Sequence, residues 1–432
     1  MVTVDVDLNL NNNILIIGAG EAGGRIAQEF YFNGFKKVIA LNTAKTDLDG
    51  LELDDENKLV IPIGTGGGAG KDPNMVRNAI DDFYDDVLRF IRSNAGGVQS
   101  VMVCVGGGGG TGGGLGIVVA QIVAELGLPV GIIYTLPLMN ESTLVFVNAL
   151  DNLKEIHQNA QDASISPLII VDNNKLVQKF KPTAANFWGP LNGAIVTVVK
   201  KFNEYSQKPT KFISGLDTQD LKRLMTTGGV CAIGHFDVNE ESSQEQLAEE
   251  VIKHFFMDGF DLATASASGV IVVGSEKTLG TTGSAEHISG IFDKISERLD
   301  GGMFFRGVYS DENVKYLRVY VLFNGLALPS EHINDMMKQV RAGYNKMKTQ
   351  QNRLDDGIHV DFGSGVGGLF NNQQGGKTIQ RKKGMPTNNT GFDESPMINI
   401  NTDAPRREKP KTPPVPIDNN PQSRPGMKRG ER

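Results

Sequence analysis

Residues 106–116 read GGGGGTGGGLG, a stretch almost without side chains set between a buried-type strand, VMVCV at 101–105, and an apolar run, IVVAQIVAELG at 117–127. Backbone N–H groups in such a run can close directly on an anionic ligand, Thr111 adds one hydroxyl, and a helix starting near Leu115 adds its positive end. A flexible linker of the same composition is not usually framed by a strand and an apolar helix. The run therefore predicts a phosphate-binding loop.

Around it, residues 14–172 alternate strand and helix signals, NILIIG, KKVIALN, KLVIPIG, VQSVMVCV, PVGIIYTLP and SPLIIVD being the strands. That alternation predicts an α/β fold with a mostly parallel sheet covered by helices on both faces. The expected organisation is a Rossmann-type nucleotide-binding domain at 12–185, a long central helix at 186–208 and a second α/β domain at 209–329. The second domain, with strands GVCAIGHF, GVIVVGSE and VKYLRVYVLFNG, is expected to carry its own sheet. A C-terminal helix at 330–354 follows, with Ser330 as N-cap and an apolar stripe of Ile333, Met336, Met337, Val340, Tyr344 and Met347. From 355 to 432 no periodicity survives, and a disordered basic tail is expected.

Composition narrows the function classes. No apolar stretch reaches membrane-spanning length and the opening MVTVDVDLNLNNN is acidic and polar, so a cytoplasmic protein without direct membrane insertion is expected. Cys104 and Cys231 are the only cysteines, which leaves neither a disulfide framework nor a cysteine-rich metal site and reads as two small core residues. Residues 371–432 hold twelve Lys and Arg against six Asp and Glu, so the tail is about +6 and the body about −13. Body and tail call for different partners.

Two familiar phosphate motifs fail on inspection. Gly18, Gly20 and Gly23 match GxGxxG after a strand, but the second strand ends in Asn42 where a dinucleotide site needs a carboxylate for the ribose. GGGAGKD at 66–72 lacks both the first glycine of a P-loop, Thr65 standing there, and its Ser or Thr, replaced by Asp72. What remains is a set of loops around Gly20, Asn42, Gly70, Thr111 and Pro137, each at the carboxyl end of a strand, where one nucleotide can meet all of them.

GGGTGGG at 108–114 resembles the signature of the tubulin and FtsZ superfamily, and the other loops follow in that family's order: GAGEAGGRIA at 18–27, LNT at 41–43, GAGKDP at 68–73 and TLP at 135–137. The resemblance spans roughly residues 12–350 and implies GTP and GDP as ligands, with magnesium as the accompanying ion and its protein ligands unassigned. It implies that Gly108, Gly109, Gly110, Thr111 and Gly112 cradle phosphates and that Ala69 and Gly70 sense the γ-phosphate. Gly20, Glu21, Ala22, Gly23 and Arg25 form the first glycine loop and Asn42 the second, while Thr135, Pro137, Glu141 and Asn173 stand at the sugar. Trp188 and Asn192 lie one helical turn apart, so an aromatic face and an amide can meet one base.

SGLDTQDLKRLM at 214–225 places Asp217 and Asp220 on one face of a helix start. On spacing alone this is helix capping; the resemblance makes the two acids catalytic, acting on the nucleotide of the next subunit. A GTPase active only in a head-to-tail filament is implied, since such contacts do not close. Gly113 in place of a second hydroxyl, Asp72 in place of Asn and Arg25 in place of an amide are departures from the family. VDNNKLVQKF at 171–180 and NGLALPSEHINDMMKQV at 324–340 resemble the TubZ-like branch, which segregates plasmid and phage DNA. That branch implies a DNA-bound adaptor protein as partner of the basic tail. An FtsZ-like division protein, a nucleotide-binding relative without turnover, and a dinucleotide oxidoreductase are the open alternatives.

Overall fold

Leu15, Ile16 and Ile17 are all fully buried although they point alternately to opposite faces of one strand. A strand apolar on both faces needs cover on both. The computed structural model describes residues 13–63, 67–162, 164–212, 214–238, 244–280 and 285–357. Its strands are β1 (Ile14–Ala19), β2 (Val38–Asn42), β3 (Lys58–Val60), β4 (Ser100–Gly106), β5 (Val130–Leu136), β6 (Leu168–Asp172), β7 (Val230–Asp237), β8 (Ala267–Gly274), β9 (Met303–Ser310) and β10 (Arg318–Leu326). The helices are α1 (Gly20–Phe32), α2 (Lys45–Asp49), α3 (Pro73–Ala79), α4 (Tyr84–Asn94), α5 (Gly110–Glu125), α6 (Thr143–Gln161) and α7 (Asn173–Phe180). They continue with α8 (Trp188–Tyr205), α9 (Thr218–Met225), α10 (Gln244–Lys253), α11 (Glu276–Gly280), α12 (Ala285–Ser296) and α13 (Ser330–Gly357).

All ten strands join one sheet in the order β3-β2-β1-β4-β5-β6-β7-β10-β8-β9. The expectation of a separate second sheet is corrected here. β7 pairs parallel to β6 through Leu168 with Val230 and Ile169 with Cys231, and β10 runs antiparallel between β7 and β8. Within the sheet the halves meet through that short ladder, which is why the sequence reads as two sheets. Leu15, Ile17, Val103 and Val105 enter one core layer, Ile16, Met102 and Cys104 the other. The second layer also takes Leu191, Ile195, Val198 and Phe202 from the buried stripe of α8. Cys104 and Cys231 are free and buried, as small core residues.

Three local expectations differ. α5 begins at Gly110 rather than near Leu115, so most of the glycine run is helical. β9 was not expected; its first half, Met303–Arg306, is only partly buried and hides its strand pattern. Ser330 is the first residue of α13, and its hydroxyl donates to the Leu328 carbonyl at 3.3 Å instead of capping the helix. Ile333, Met336, Met337 and Val340 are buried as the stripe requires. The side chains of Tyr344 and Met347 lie outside the described residues, as do Gly64–Gly66 and the tail from 358 onward.

Lys179 ties α7 to the second half of the sheet. Its Nζ donates to the His235 carbonyl at 2.7 Å and meets His254 Nδ1 at 3.1 Å, while His254 Nε2 lies 3.0 Å from Glu250. Burial, reinforced by the charges of Lys179 and Arg318, pushes the His235 imidazole down to about 3 from its ordinary 6.5. Above pH 6.5 the ring is neutral folded or unfolded and contributes no pH dependence. As pH falls below that value only the unfolded chain takes the proton, so the fold loses stability down to about pH 3. Urea unfolding at about pH 4.5 should show a loss of roughly 2–3 kcal/mol, relative to neutral pH, that His235→Phe removes; equal losses in both proteins would refute the assignment.

Candidate nucleotide-binding site

The loops that follow β1, β2, β4 and β5 enclose a cleft of about 440 Å³ at the carboxyl edge of the sheet, large enough for a nucleotide. Gly106–Gly112 form its floor, with Thr111 and Gly112 in the first turn of α5. The N-cap, Gly109, is extended and offers no side chain, and no acidic residue stands in the first turn of α5. Its leading N–H groups and positive end therefore remain for an anion. Thr111 Oγ1 and Thr43 Oγ1 lie 2.7 Å apart, so the hydroxyl also ties the glycine loop to the loop after β2.

The glycines are required chiefly by how closely the loops pack. A Cβ on Gly107 would overlap the ring of Tyr134, and one on Gly108 would overlap Val145. One on Gly112 would lie 2.9 Å from the Gly106 carbonyl and 3.1 Å from that of Ala19. Gly20 has φ +75°, open to glycine at little cost, and a Cβ there would lie 2.7 Å from Gly112 N.

Across the floor stands the loop before α3. Ala69, Gly70 and Lys71 line the cleft, and Asn148 Nδ2 holds the Lys71 carbonyl at 2.7 Å. Asp72 faces its own helix, Oδ1 accepting from Asn74 N at 2.9 Å and Met75 N at 3.3 Å. Beyond the end of β5, Thr135, Pro137, Glu141 and Asn173 line the cleft. Glu141 Oε1 accepts from Leu138 N at 3.1 Å, and Asn174 bridges β6 to this loop through the Pro137 carbonyl and the Met139 amide. Trp188 and Asn192 of α8 line the cleft together with Glu21, Ala22 and Arg25 of α1, Arg25 being paired to Glu21 at 2.6 Å.

Three expected ligand residues do not line the cleft. Gly20 and Gly23 serve packing, a Cβ on Gly23 running into the Cys104 carbonyl. Asn42 is buried, donates to Asp47 Oδ2 at 3.0 Å and accepts from Ala44 N at 3.2 Å, so it shapes the turn that presents Thr46 and Asp47 to the cleft. Asp217 and Asp220 are not in its walls either. They form a reciprocal cap on α9, Asp217 Oδ1 accepting from Gln219 N and Asp220 N at 2.8 Å and Asp220 Oδ2 from Asp217 N at 3.3 Å. Sequence reasoning missed Thr46, Asp47 and Lys71 in the walls and Asn148 and Asn174 behind them; each belongs to the site only through partners distant in the chain. Among the described residues no group of three His, Cys, Asp or Glu side chains could hold a metal ion. No described helix is long and apolar enough to cross a membrane.

Residues 13–181 match the tubulin/FtsZ family, GTPase domain. The cell division protein FtsZ of Haloferax mediterranei is 27% identical over 360 residues, 82% of this chain and 88% of that protein. The tubulin-like protein CetZ of Pyrococcus abyssi is 27% identical over 340 residues, 75% of this chain and 88% of that protein. The GTPγS-form protofilament structure of Bacillus thuringiensis serovar israelensis TubZ superposes with a TM-score of 0.68 at 19% identity, covering 80% of this chain and 96% of that one.

The walls make a direct forecast. A methyl at Gly110 would lie 2.8 Å from Asp72 N and 2.9 Å from Ala69 Cβ, so Gly110→Ala should part the two phosphate-facing loops and abolish nucleotide binding. Thr111→Val keeps the shape but loses the bond to Thr43, and affinity should fall about tenfold. Titration of nucleotide-free protein measures both; unchanged affinity in Gly110→Ala would count against the cleft.

Proposed function

We propose that this chain, whose residues 13–181 are a tubulin/FtsZ-family GTPase domain, is a GTP-dependent filament protein that hydrolyses GTP at the contact between successive subunits. The reading rests on the distance between the cleft and the paired acids. Trp188 in the cleft wall opens α8, and Tyr205 at its far end stacks on Tyr309 with ring centroids 4.6 Å apart. The Tyr309 hydroxyl accepts from Leu216 N at 2.8 Å, next to Asp217. An 18-residue helix is about 27 Å long. Asp217 and Asp220 are thus joined to the far end of α8 and do not line their own cleft, which supports a role at a neighbour's.

In a head-to-tail filament the acids of one subunit would orient water against the γ-phosphate held by the next. The α5 amides and Lys71 would take phosphate charge, Glu141 the ribose hydroxyls, and Trp188 with Asn192 the base. Magnesium would take its ligands from phosphates and water. Region 209–329 would then act as the activating domain for the next subunit's GTP. A second reading, binding and assembly without turnover, is favoured by the reciprocal cap, which already employs both carboxylates.

For the cellular role we propose DNA segregation or positioning of the TubZ type, supported by the passage through Leu326 into the 28-residue α13; an FtsZ-like division role is the runner-up. In the first case the basic clusters at 381–383, 405–411 and 424–432 would recruit a DNA-bound adaptor, many tails along one filament adding avidity.

Phosphate release per subunit should stay near zero below a critical protein concentration and rise above it; turnover independent of dilution would sink the shared site. Asn caps helices as well as Asp does. Asp217→Asn should therefore bind GTP and assemble, yet hydrolyse about 100-fold more slowly, whereas retained turnover would favour the capping-only reading. Truncation after about residue 370 should leave filaments and turnover intact while abolishing co-sedimentation with adaptor and DNA. The full chain's recruitment should weaken as salt rises; undiminished recruitment by the truncated chain would exclude the tail.

A further inference from the structure

We propose that Asn152 is the positioning residue of the phosphate loop and that it and Gly113 form a compensating pair. The inference rests on the cleft being a nucleotide site. Asn152 sits in the middle of α6, 1% exposed, with both ends of its amide engaged. Nδ2 donates to the Gly107 carbonyl at 2.9 Å, and Oδ1 accepts from Arg77 Nη2 at 2.7 Å. Arg77 goes on to Glu155 Oε2 at 2.8 Å and reaches the Gly113 carbonyl at 3.4 Å.

The bond to Gly107 sets the direction of the next donor. In a trans peptide the C=O of one residue and the N–H of the next point opposite ways. Drawing the Gly107 carbonyl back toward α6 therefore turns the Gly108 N–H toward the cleft, which both residues line. The amide can stand there only because position 113 has no side chain. A Cβ on Gly113 would overlap Asn152 Nδ2 and lie 3.1 Å from its Cγ. Space that a side chain at 113 would fill is occupied from α6 instead.

One turn earlier on the same helix, Asn148 holds the Lys71 carbonyl of the opposite loop, and Arg77 belongs to the helix which that loop begins. The two asparagines and Arg77 bind both phosphate-facing loops to α6, so neither loop can shift without the other.

The test is a cycle on the full-length, nucleotide-free protein, titrated with GDP and GTP and melted without nucleotide. Asn152→Ala should weaken both nucleotides about tenfold, the loss falling on the KM for GTP more than on kcat. Asn152→Asp keeps the Arg77 contact but sets a carboxylate oxygen against the Gly107 carbonyl, so it should lose affinity to a similar degree. Gly113→Ala alone should lower the melting temperature, and adding Asn152→Ala should restore it, because the overlapping amide is gone. Affinities of Asn152→Ala and Asn152→Asp within twofold of a binding wild type, or additive losses of melting temperature, would overturn the inference. A wild type that takes neither nucleotide would instead overturn the reading of the cleft, and the melting cycle would still decide the pair.

Discussion

The structure depends on one close approach, that of the first turns of α5 to everything around them. A Cβ on Gly20, the first residue of α1, would lie 2.7 Å from Gly112 N, one on Gly114 2.5 Å from Val76 Cβ and one on Gly116 2.9 Å from Val105 Cγ2. With Gly110 against Asp72 and Gly113 against Asn152, this helix end touches α1, the loop before α3, β4 and α6 at backbone distance. Each interior glycine costs the helix about 0.5–1 kcal/mol relative to alanine, and four of them, Gly112, Gly113, Gly114 and Gly116, lie inside α5. The cost is met further along, where Leu115, Ile117, Val119, Ile122 and Val123 are buried. Loops that must share one ligand are brought together by removing the side chains between them.

Topology then decides where the ligand goes. From β1 the chain builds outward through β2 and β3, then returns to place β4 on the other side of β1. The strand order reverses there, and the helices after β1 and β4 leave in opposite directions from a crevice between their amino ends. Gly20 against Gly112 brings the two helix ends together beside it. The positive helix ends at that point suit phosphate, and in the proposed reading the base would be directed outward toward α8.

The parallel half of the sheet was legible because β1, β4, β5 and β6 are apolar on both faces and separated by helix-length segments. The second half was less so. There β10 pairs antiparallel with both β7 and β8 across long stretches of chain, Tyr320 facing His235 on one side and Ile271 on the other, and no local pattern records such a partner. The helix start at Gly110 escaped notice because glycine argues against helix locally, and tertiary contact overrode it. In the site, residues that line the cleft through a loop motif, such as Gly108, Thr111, Pro137 and Glu141, were readable from motif order. Those that act by holding another residue were not. Asn42 carried a motif signal for a ligand but shapes a turn, while Asn152 and Arg77 carried none, since their partners lie 45 and 75 residues away.

The acid loop shows how binding and capping can be one arrangement. Thr210 Oγ1 donates to the Val308 carbonyl at 2.6 Å, Ser214 Oγ to that of Arg306 at 2.8 Å, and Val308 N to that of Ser214 at 2.9 Å, so Thr210 and Ser214 are pinned along β9. Asp217 spends only Oδ1 on the two amides of α9. A cap that uses one oxygen fixes the carboxylate plane, and a fixed carboxylate is what a water-orienting group needs, because no ordering remains to be done at the moment of reaction. Under the proposed shared site, the cap through Oδ1 would hold Asp217 for water orientation, whereas under the binding-only reading it is the whole of its role. In the proposed filament, α8 would separate the acid loop from its own cleft, the oriented water would belong to another subunit's nucleotide, and an interface joining two different ends of one chain would continue without closing.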